Sequence, residues 1–406
     1  MGFKKLKRLF VISFTKENIK KWLPLALILL VATCSFMYGW YFDASKPQSG
    51  GNWADQSLYT AVANRLHDGQ LPKPTQLHYT IGYSALGAVG AFVTPSDPFM
   101  LVSFGLFIAS VIFCFFAARK LLGNIWAVFF VIVLFAWDGI ARTFNFASEL
   151  FAVPWNNQVL FFTFAFYLWL FVTKLNKNPS WKIIIISALI SGYCFLNREE
   201  TVLFVVLAMA TYLLITKTGW KKWLVSYSII LLCFMPQLVV KFVVNGSILD
   251  SGRESSYQQI SNQYLQLSLL DRNIKEVVIG GDNYQNPKAG GSPIKSDRPA
   301  LLQTSPWLWL APIGIFLMLI LKRYPLGLKI FAIISLMLML FYLSGANMSG
   351  QKLKYHCLRY ISAGFIVLNL GSIVAAKEGI EYGGRIIKKL TMQKIQRRLS
   401  KGMKVL

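Results

Sequence analysis

Residues 50–90 read GGNWADQSLYTAVANRLHDGQLPKPTQLHYTIGYSALGAVG, and they follow the first apolar run that is long enough to cross a membrane. This stretch contains a Gly-Gly break, an acid at Asp55, an amphipathic helix pattern, a turn rich in Pro and Lys, and a second, apolar helical segment. A chain that otherwise consists of apolar runs has little reason to carry such a stretch unless something binds there. We therefore predict that Asp55 lies at the mouth of a membrane-embedded site.

The composition around this stretch is that of a polytopic helical membrane protein. The 406 residues are 55% hydrophobic and 15% aromatic, and apolar runs of about 20 residues recur along the chain. A soluble all-α protein is disfavoured, since its core helices typically run to only about 10–14 apolar residues. The five cysteines stand singly and there are three histidines, so neither a disulfide framework nor a zinc site is predicted.

Ten apolar runs predict ten transmembrane helices, at 22–42, 98–118, 123–138, 154–173, 182–197, 201–216, 223–243, 305–321, 328–344 and 358–376. Positive residues flanking membrane spans stay in the cytoplasm, and this arrangement puts the basic loops and both termini there. The net charge of +25 is thus explained by topology and not by nucleic-acid binding. Of the 17 acids, 14 then face outside, and Glu17, Glu378 and Glu381 face the cytoplasm.

Four regions follow from these spans. Residues 1–243 are predicted to form the catalytic transmembrane module, with an outer loop at 43–97 in which 79–93 is a juxtamembrane or re-entrant helix. Residues 244–304 form a second outer loop that contains a polar helical stretch at 255–278 and is a candidate lid. Helices at 305–376 complete the bundle. The tail at 377–406 is basic, and its pattern is typical of an amphipathic helix on anionic lipid.

Two outer-facing acids are candidates for chemistry. Asp55 is predicted to lie in the first turn of a helix whose residues Leu58, Val62 and Leu66 share one face, where the helix dipole favours a carboxylate. The alternative is structural, with Asn52 capping that helix in a box-like arrangement. Glu149 lies among aromatic residues before a span, where a buried carboxylate needs a partner; the alternative is a rim acid facing water, as for Asp138.

Two outer-facing clusters carry cations. Residues 197–200 read Asn-Arg-Glu-Glu in a turn with no loop to spare, and charges at membrane depth are expected to pair with each other or with a ligand. The alternative is an ordinary hairpin whose charges reach the headgroups. At the start of the last span, a second cluster opposes the inside-positive trend, and its Arg359 is predicted to hold a phosphate. This cluster comprises Lys352, Lys354, His356, Arg359 and Tyr360.

The order of these elements resembles the GT-C superfamily of integral membrane glycosyltransferases, which take sugar from a polyprenyl-phosphate donor. The resemblance rests on the acid that opens the first outer loop (Asp55-Gln-Ser-Leu-Tyr59), on His78-Tyr79-Thr-Ile-Gly82-Tyr83, on the Leu196-Asn-Arg198-Glu199-Glu200 turn, and on the Arg359-Tyr360 pair. It covers the first ~220 residues in the order of elements and the last third only loosely.

The resemblance implies an inverting transfer in which Asp55 is the catalytic base and Glu149 orients hydroxyl groups. Arg198 and Arg359 would stabilise the departing phosphate. Further donor-binding residues would be Glu199, Tyr360, His78, Tyr79 and Lys73. The chain has Gln56 where many members have a second acid, and Lys73 would substitute for an absent Lys-Pro-Pro. No Asp-x-Asp occurs, so no metal and no other cofactor is predicted.

Two other classes of function remain open. A lipid-linked glycan transporter or flippase would need polar groups near the bilayer midplane and paired broken helices, whereas the acids here crowd the outer rim. A non-enzymatic polysaccharide-assembly protein would tolerate loss of Asp55. The expected partners are a polyprenyl-phosphate sugar, a glycan, lipid or protein acceptor and membrane lipids, and the expected location is a bacterial inner membrane. The sugar, the prenyl length and the acceptor are left open.

Overall fold

A computed structural model describes residues 16–43, 54–77, 79–135, 150–151, 156–248, 266–279, 301–345 and 361–402. Throughout these residues the secondary structure is helical, without a strand. The helices are α1 (Lys16–Tyr38), α2 (Ala54–His67), α3 (Gly82–Ala91), α4 (Met100–Leu122), α5 (Asn124–Phe135), α6 (Asn157–Thr173), α7 (Trp181–Asn197), α8 (Val202–Ile215), α9 (Trp220–Asn245), α10 (Leu267–Asn273), α11 (Leu301–Thr304), α12 (Ala311–Ile320), α13 (Leu326–Leu343) and α14 (Ser362–Gly402).

Every one of the ten predicted spans coincides with a helix, and the predicted all-α polytopic fold is confirmed. Within the part of the chain that the structure describes, five helical segments are long and apolar enough to cross a membrane, namely Trp22–Tyr41, Met100–Leu122, Trp220–Asn245, Leu326–Leu343 and Ser362–Gln393. The remaining spans are shorter helices, and at 1.5 Å per residue a helix of about 15 residues covers only about three quarters of a typical hydrocarbon core. Their full crossing of the bilayer stays a prediction.

The centre of the bundle is α6, which is buried along almost its whole length. It packs between α4, α7, α13 and α14, and phenylalanine rings fill the spaces between these helices. Because lipid is as apolar as these side chains, tight van der Waals packing, and not expulsion from water, holds such helices together.

The closest backbone approach joins α12 and α14. A Cβ atom placed on Gly314 would lie 1.7 Å from the carbonyl oxygen of Gly371, and one on Gly371 would lie 2.9 Å from the carbonyl oxygen of Ala311. No side chain fits at either position, so the two glycines set the separation of these helices. Small residues serve this purpose widely in membrane bundles.

Loops that were predicted to share a side of the membrane meet in the structure. At the predicted cytoplasmic end, the Lys222 ammonium donates to Asn178 Oδ1 at 2.8 Å, which joins the loop after α6 to the loop after α8. At the same end, Arg323 pairs with Glu378, and Tyr324 Oη donates to Glu378 Oε1 at 2.7 Å. Two of the three acids assigned to the cytoplasm thus lie beside its basic loops.

The first outer loop contains α2 and α3 packed against each other. Helix α3 has ten residues, about 15 Å, which is half of a hydrocarbon core. The assignment of 79–93 as a juxtamembrane or re-entrant helix stays a prediction, as does the crossing of the other short helices. The packing face of α2 differs from the predicted one, because Tyr59 and Ala63 are buried against α3, whereas Leu58 and Leu66 are only half-buried. Of the predicted face, Val62 alone is fully buried.

A contact between Trp40 and Asp97 closes the base of this loop. Trp40 Nε1 donates to Asp97 Oδ2 at 2.8 Å and joins the end of α1 to the residues before α4. Burial raises the pKa of Asp97 above its usual 3.8, although the hydrogen bonds from Trp40 and from the backbone of Phe99 and Met100 oppose the shift. Ionising Asp97 therefore costs more free energy in the folded chain than in the unfolded chain.

Replacing Asp97 with asparagine is expected to stabilise the protein at neutral pH. Because the pKa of Asp97 is higher in the folded chain, its protonated form favours folding. This contribution to the free energy of unfolding is fully present below pH 3.8 and is lost as the pH rises through the pKa of the folded state. Asparagine keeps a side-chain oxygen that can accept from Trp40 Nε1, and it does not ionise, so it does not lose stability as the pH rises. The midpoint of thermal unfolding should rise by about 1–2 °C at pH 7 and match wild type near pH 4. Asp97→Ala, which leaves Trp40 Nε1 unpaired, should lower it at both pH values.

The last span and the basic tail form one helix, α14, of 41 residues. The sequence suggested a span followed by a separate surface helix, but Lys377–Glu381 continues the helix without a break. The predicted helical character of the tail is thereby confirmed as far as residue 402. Ile380, Ile387 and Leu390 are largely exposed on it.

Candidate functional site

The first turn of α3 is held by α7 and α9. Its N-cap residue, Ile81, has no polar side chain to satisfy the free backbone N–H groups of a helix start. Gln237 of α9 does so instead, accepting from Ile81 N at 2.8 Å, while Thr80 Oγ1 donates to the Asn197 carbonyl oxygen at 2.7 Å. Tyr193 Oη also donates to the Gly82 carbonyl oxygen. The start of α3 is thus fixed against the outer ends of two spans.

Gly82 is required for this contact. A Cβ atom at position 82 would lie 2.9 Å from Asn197 Nδ2 and 2.9 Å from the Leu196 carbonyl oxygen. The Tyr/Gly-rich segment that was singled out in the sequence therefore lies directly on the turn that follows α7. These two motifs are more than a hundred residues apart in the chain and form one structure.

In that turn Arg198 is almost fully buried and forms an ion pair with Glu200. Arg198 Nε donates to Glu200 Oε1 at 2.9 Å, and an Nη atom donates to the same oxygen. Its other Nη atom lies 3.4 Å from Asn156 Oδ1, just before α6. The prediction that the charges at 197–200 pair with each other is confirmed for Arg198 and Glu200.

Tyr342, near the end of α13, completes this cluster. Its ring centre lies 5.5 Å from Arg198 Cζ, within the range of a cation–π contact, and its hydroxyl lies 3.5 Å from Glu200 Oε1. The end of α13 is in turn held by α10, since Asn273 Nδ2 donates to the Leu343 carbonyl oxygen at 2.7 Å. Part of the second outer loop thus packs beside the cluster.

Lys241, in the outer half of α9, is a functional candidate that the sequence analysis missed. Its side chain is 8% exposed, and its Nζ lies 3.1 Å from Glu199 Oε1. Its position inside an apolar run hid it among the span residues at 223–243. An ionisable residue within a span is itself a sign of function, and that sign could have identified it.

Asp55 belongs to α2, which begins at Ala54, so its predicted position in the first turn is confirmed. The structure describes the backbone of Asp55 and not its side chain. Tyr59, one turn further, packs against Tyr79 and Tyr83 with ring centres 5.1 and 5.3 Å apart. The start of α2 therefore lies beside the segment that leads into α3, next to the turn that carries Arg198.

The other predicted site residues are only partly described. Tyr79 is half-buried beside Tyr59. Lys73 precedes the short 3₁₀ turn Pro74–Gln76 and is exposed, and the described contacts do not join it to the Arg198 turn. Four predicted residues lie outside the described residues, namely His78, Glu149, Arg359 and Tyr360.

The site as described is a cationic and amide-rich cluster at the predicted outer ends of α7, α9 and α13, with the start of α3 packed on the turn that follows α7. Among the residues described, no three His, Cys, Asp or Glu side chains are grouped as ligands for a metal ion. Two buried cations, each beside a carboxylate, can hold an anion that displaces or bridges those carboxylates. The arrangement can therefore accept a phosphate at the membrane edge.

Comparison with known proteins gives one structural likeness. No family model matches the sequence, and no curated protein matches it. The crystal structure of ArnT from Cupriavidus metallidurans, which was solved bound to undecaprenyl phosphate, superposes with a TM-score of 0.57 at 14% sequence identity. The likeness covers 87% of this chain and 59% of ArnT, so the chain spans about three fifths of that protein. At this identity the likeness shows the fold alone, which is similar to that of ArnT.

Proposed function

We propose that the chain is a membrane glycosyltransferase that moves a sugar from a polyprenyl-phosphate donor to a hydroxyl group of an envelope glycan, lipid or protein on the outer face of the membrane. The observation that carries the proposal is the pair of buried cations Arg198 and Lys241, whose chain neighbours Leu196 and Val240 pack together with Ile81 at the start of α3. The ArnT-like fold supports it, because the ArnT structure holds undecaprenyl phosphate.

In the proposed reaction, the oxygen of an acceptor hydroxyl attacks the anomeric carbon of the donor sugar. The bond from that carbon to the phosphate oxygen breaks, and its electron pair leaves with the prenyl phosphate. The Asp55 carboxylate takes the hydroxyl proton, as a general base within hydrogen-bond reach would. Attack opposite the leaving group inverts the anomeric carbon. Phosphate is a good leaving group, so no general acid is needed.

Negative charge grows on the phosphate as it departs, and preorganised cations stabilise it there. Arg198 suits this role because its planar group can hold Glu200 and a phosphate oxygen through different N–H groups. Lys241, in the neighbouring helix α9, offers a second positive charge, and it pairs with Glu199. Arg359, Tyr360, His78, Tyr79 and Lys73 remain proposed donor-binding residues, and Glu149 is proposed to orient the acceptor or sugar.

The proposal is tested by incubating the purified protein with a panel of polyprenyl-phosphate sugars and candidate acceptors, and by measuring release of prenyl phosphate. Release that depends on both substrates is the expected result. If the protein instead moves the intact lipid-linked sugar across vesicle membranes without releasing prenyl phosphate, the chain is a flippase. Neither activity, with no binding of prenyl phosphate, would contradict both readings.

Replacing Arg198 with lysine is expected to weaken donor binding although the charge is kept. Lysine cannot hold Glu200 through two N–H groups at once or stack on the Tyr342 ring, so the cation would no longer be fixed. We expect an increase of about tenfold to a hundredfold in KM for the donor, since each lost charge-assisted hydrogen bond contributes about 1.5–3 kcal/mol. Lys221→Arg, at the far end of α9, is the control and should leave KM unchanged.

A further inference from the structure

Three buried amide side chains near the start of α3 each have one polar atom that no described residue satisfies. They belong to Gln56 (6% exposed), Asn197 (1%) and Gln237 (0%). The atoms are Gln56 Nε2, Asn197 Oδ1 and Gln237 Nε2. Buried polar atoms in native proteins almost always have a partner, so each exception needs an explanation.

The three amides converge on one place. Gln237 accepts from Ile81 N through Oε1, so its amide lies at the first turn of α3. Asn197 Nδ2 lies 2.9 Å from where a Cβ atom of Gly82 would be, on the same turn. Gln56 lies one turn before Tyr59 and on its face of α2, and Tyr59 packs on Tyr79 and Tyr83.

The register between α2 and α3 supports the position of Gln56. Ala63 lies against Gly87, and Tyr59 lies against Tyr83, so the two helices advance together. Gln56 lies on the same face of α2 as Tyr59 and one turn nearer the helix start, so it lies toward the segment that leads into α3, where Tyr59 contacts Tyr79. All three amides thus border residues 79–82.

Hydrogen bonds fix which atom of two of these amides remains for a ligand. The Oε1 atom of Gln237 is taken by Ile81 N, so its Nε2 is left as a donor. The Nδ2 atom of Asn197 donates to the Tyr193 carbonyl oxygen at 2.7 Å, so its Oδ1 is left as an acceptor. Together with Gln56 Nε2, the site presents two donors and one acceptor, all uncharged.

We propose that Gln56, Asn197 and Gln237 bind hydroxyl groups of an uncharged sugar ring carried by the donor lipid, an inference that rests on the proposed function. A sugar hydroxyl both donates and accepts, so neighbouring hydroxyls can satisfy two donors and one acceptor at once. Neutral amides offer no counter-charge, and burying an unpaired ammonium or carboxylate against them would be costly. The site therefore favours neutral hexoses or pentoses over amino sugars and uronic acids.

The test compares binding of undecaprenyl phosphate without sugar and with a neutral hexose, a 4-amino pentose or a uronic acid attached. Wild type should bind the neutral donor roughly tenfold more tightly than the sugar-free lipid, the increment of about one or two good hydrogen bonds. Gln56→Leu should lose this tenfold gain and leave binding of the sugar-free lipid unchanged. Gln70→Leu, the same substitution at an exposed position in the same loop, should change neither.

Stability provides a second readout. Because Gln56 Nε2 has no described partner, leucine at this position should leave thermal stability unchanged or raise it. Gln237→Glu is the second variant. It keeps an oxygen for Ile81 N, removes the donor and should also lose the gain for the neutral sugar.

The outcomes separate the two proposals. If the protein binds all four lipids equally, or if Gln56→Leu leaves the preference intact, the amides hold only a structural water and this inference is wrong, while the proposed function stands. Tightest binding of the amino sugar would also overturn it. If wild type binds none of the four lipids, the proposed function is wrong and this inference is wrong with it.

Discussion

Asp55→Asn is expected to lower the rate of sugar transfer by about a hundredfold to ten-thousandfold, the usual contribution of a general base. Asparagine is nearly the same size as aspartate but takes no proton, so the acceptor hydroxyl would attack without assistance. Because Asp55 opens α2 and is proposed to act on the acceptor, binding of the donor lipid should remain within about twofold of wild type. Prenyl-phosphate release measures the first effect, and equilibrium binding of the labelled donor measures the second.

Asp68→Asn is the matched control for this prediction. Asp68 follows the other end of α2, is exposed, and should keep full activity when it is replaced. If Asp55→Asn retained wild-type turnover, the carboxylate would have only a capping role at the start of α2, and the proposed mechanism would be wrong. Loss of donor binding together with turnover would point to a structural role.

Gly314→Ala is expected to have the largest effect on stability. The added methyl carbon would lie 1.7 Å from the Gly371 carbonyl oxygen, and backbone cannot move aside as a flexible side chain can. Overpacking within a well-packed core costs about 1–3 kcal/mol and occasionally more, and here α12 and α14 would have to separate. We expect the midpoint of thermal unfolding in detergent to fall by about 10 °C, or the protein to be recovered mainly as aggregate.

Gly105→Ala is the control. Gly105 lies within α4, where nothing is found within 4 Å of an added Cβ atom. Alanine favours a helix by up to about 1 kcal/mol over glycine, so this variant should be as stable as wild type or slightly more stable. Equal destabilisation by both substitutions would mean that the crossing of α12 and α14 does not limit stability.

The helices could be predicted from the sequence because each span is a local pattern. An apolar run of sufficient length predicts the position of a helix, so all ten runs coincide with helices, although the last helix continues beyond its predicted end at 376 to residue 402. The Arg198–Glu200 pair was also predictable, since its members are only two positions apart in a tight turn between two spans.

The rest of the site depends on contacts between distant parts of the chain. Lys241 pairs with Glu199 across 42 residues, and Tyr342 meets Glu200 across 142. A single sequence carries no signal for which helices become neighbours, so neither contact could be derived. Gln237 was missed for the same reason, because a glutamine inside an apolar run gives no indication that it caps another helix. The Gly314–Gly371 approach requires the crossing point of two helices, which hydropathy does not encode.

The length of α14 has a practical consequence for imaging. Its 41 residues extend about 60 Å, twice the thickness of a bilayer core, so about half of the helix must protrude from a micelle or nanodisc. A membrane protein of 406 residues with little mass outside the detergent gives few landmarks by which single particles can be aligned in electron micrographs. A soluble domain could be fused after residue 402 through a continuous helix. Its orientation relative to the last span would then be fixed, and it would supply that landmark.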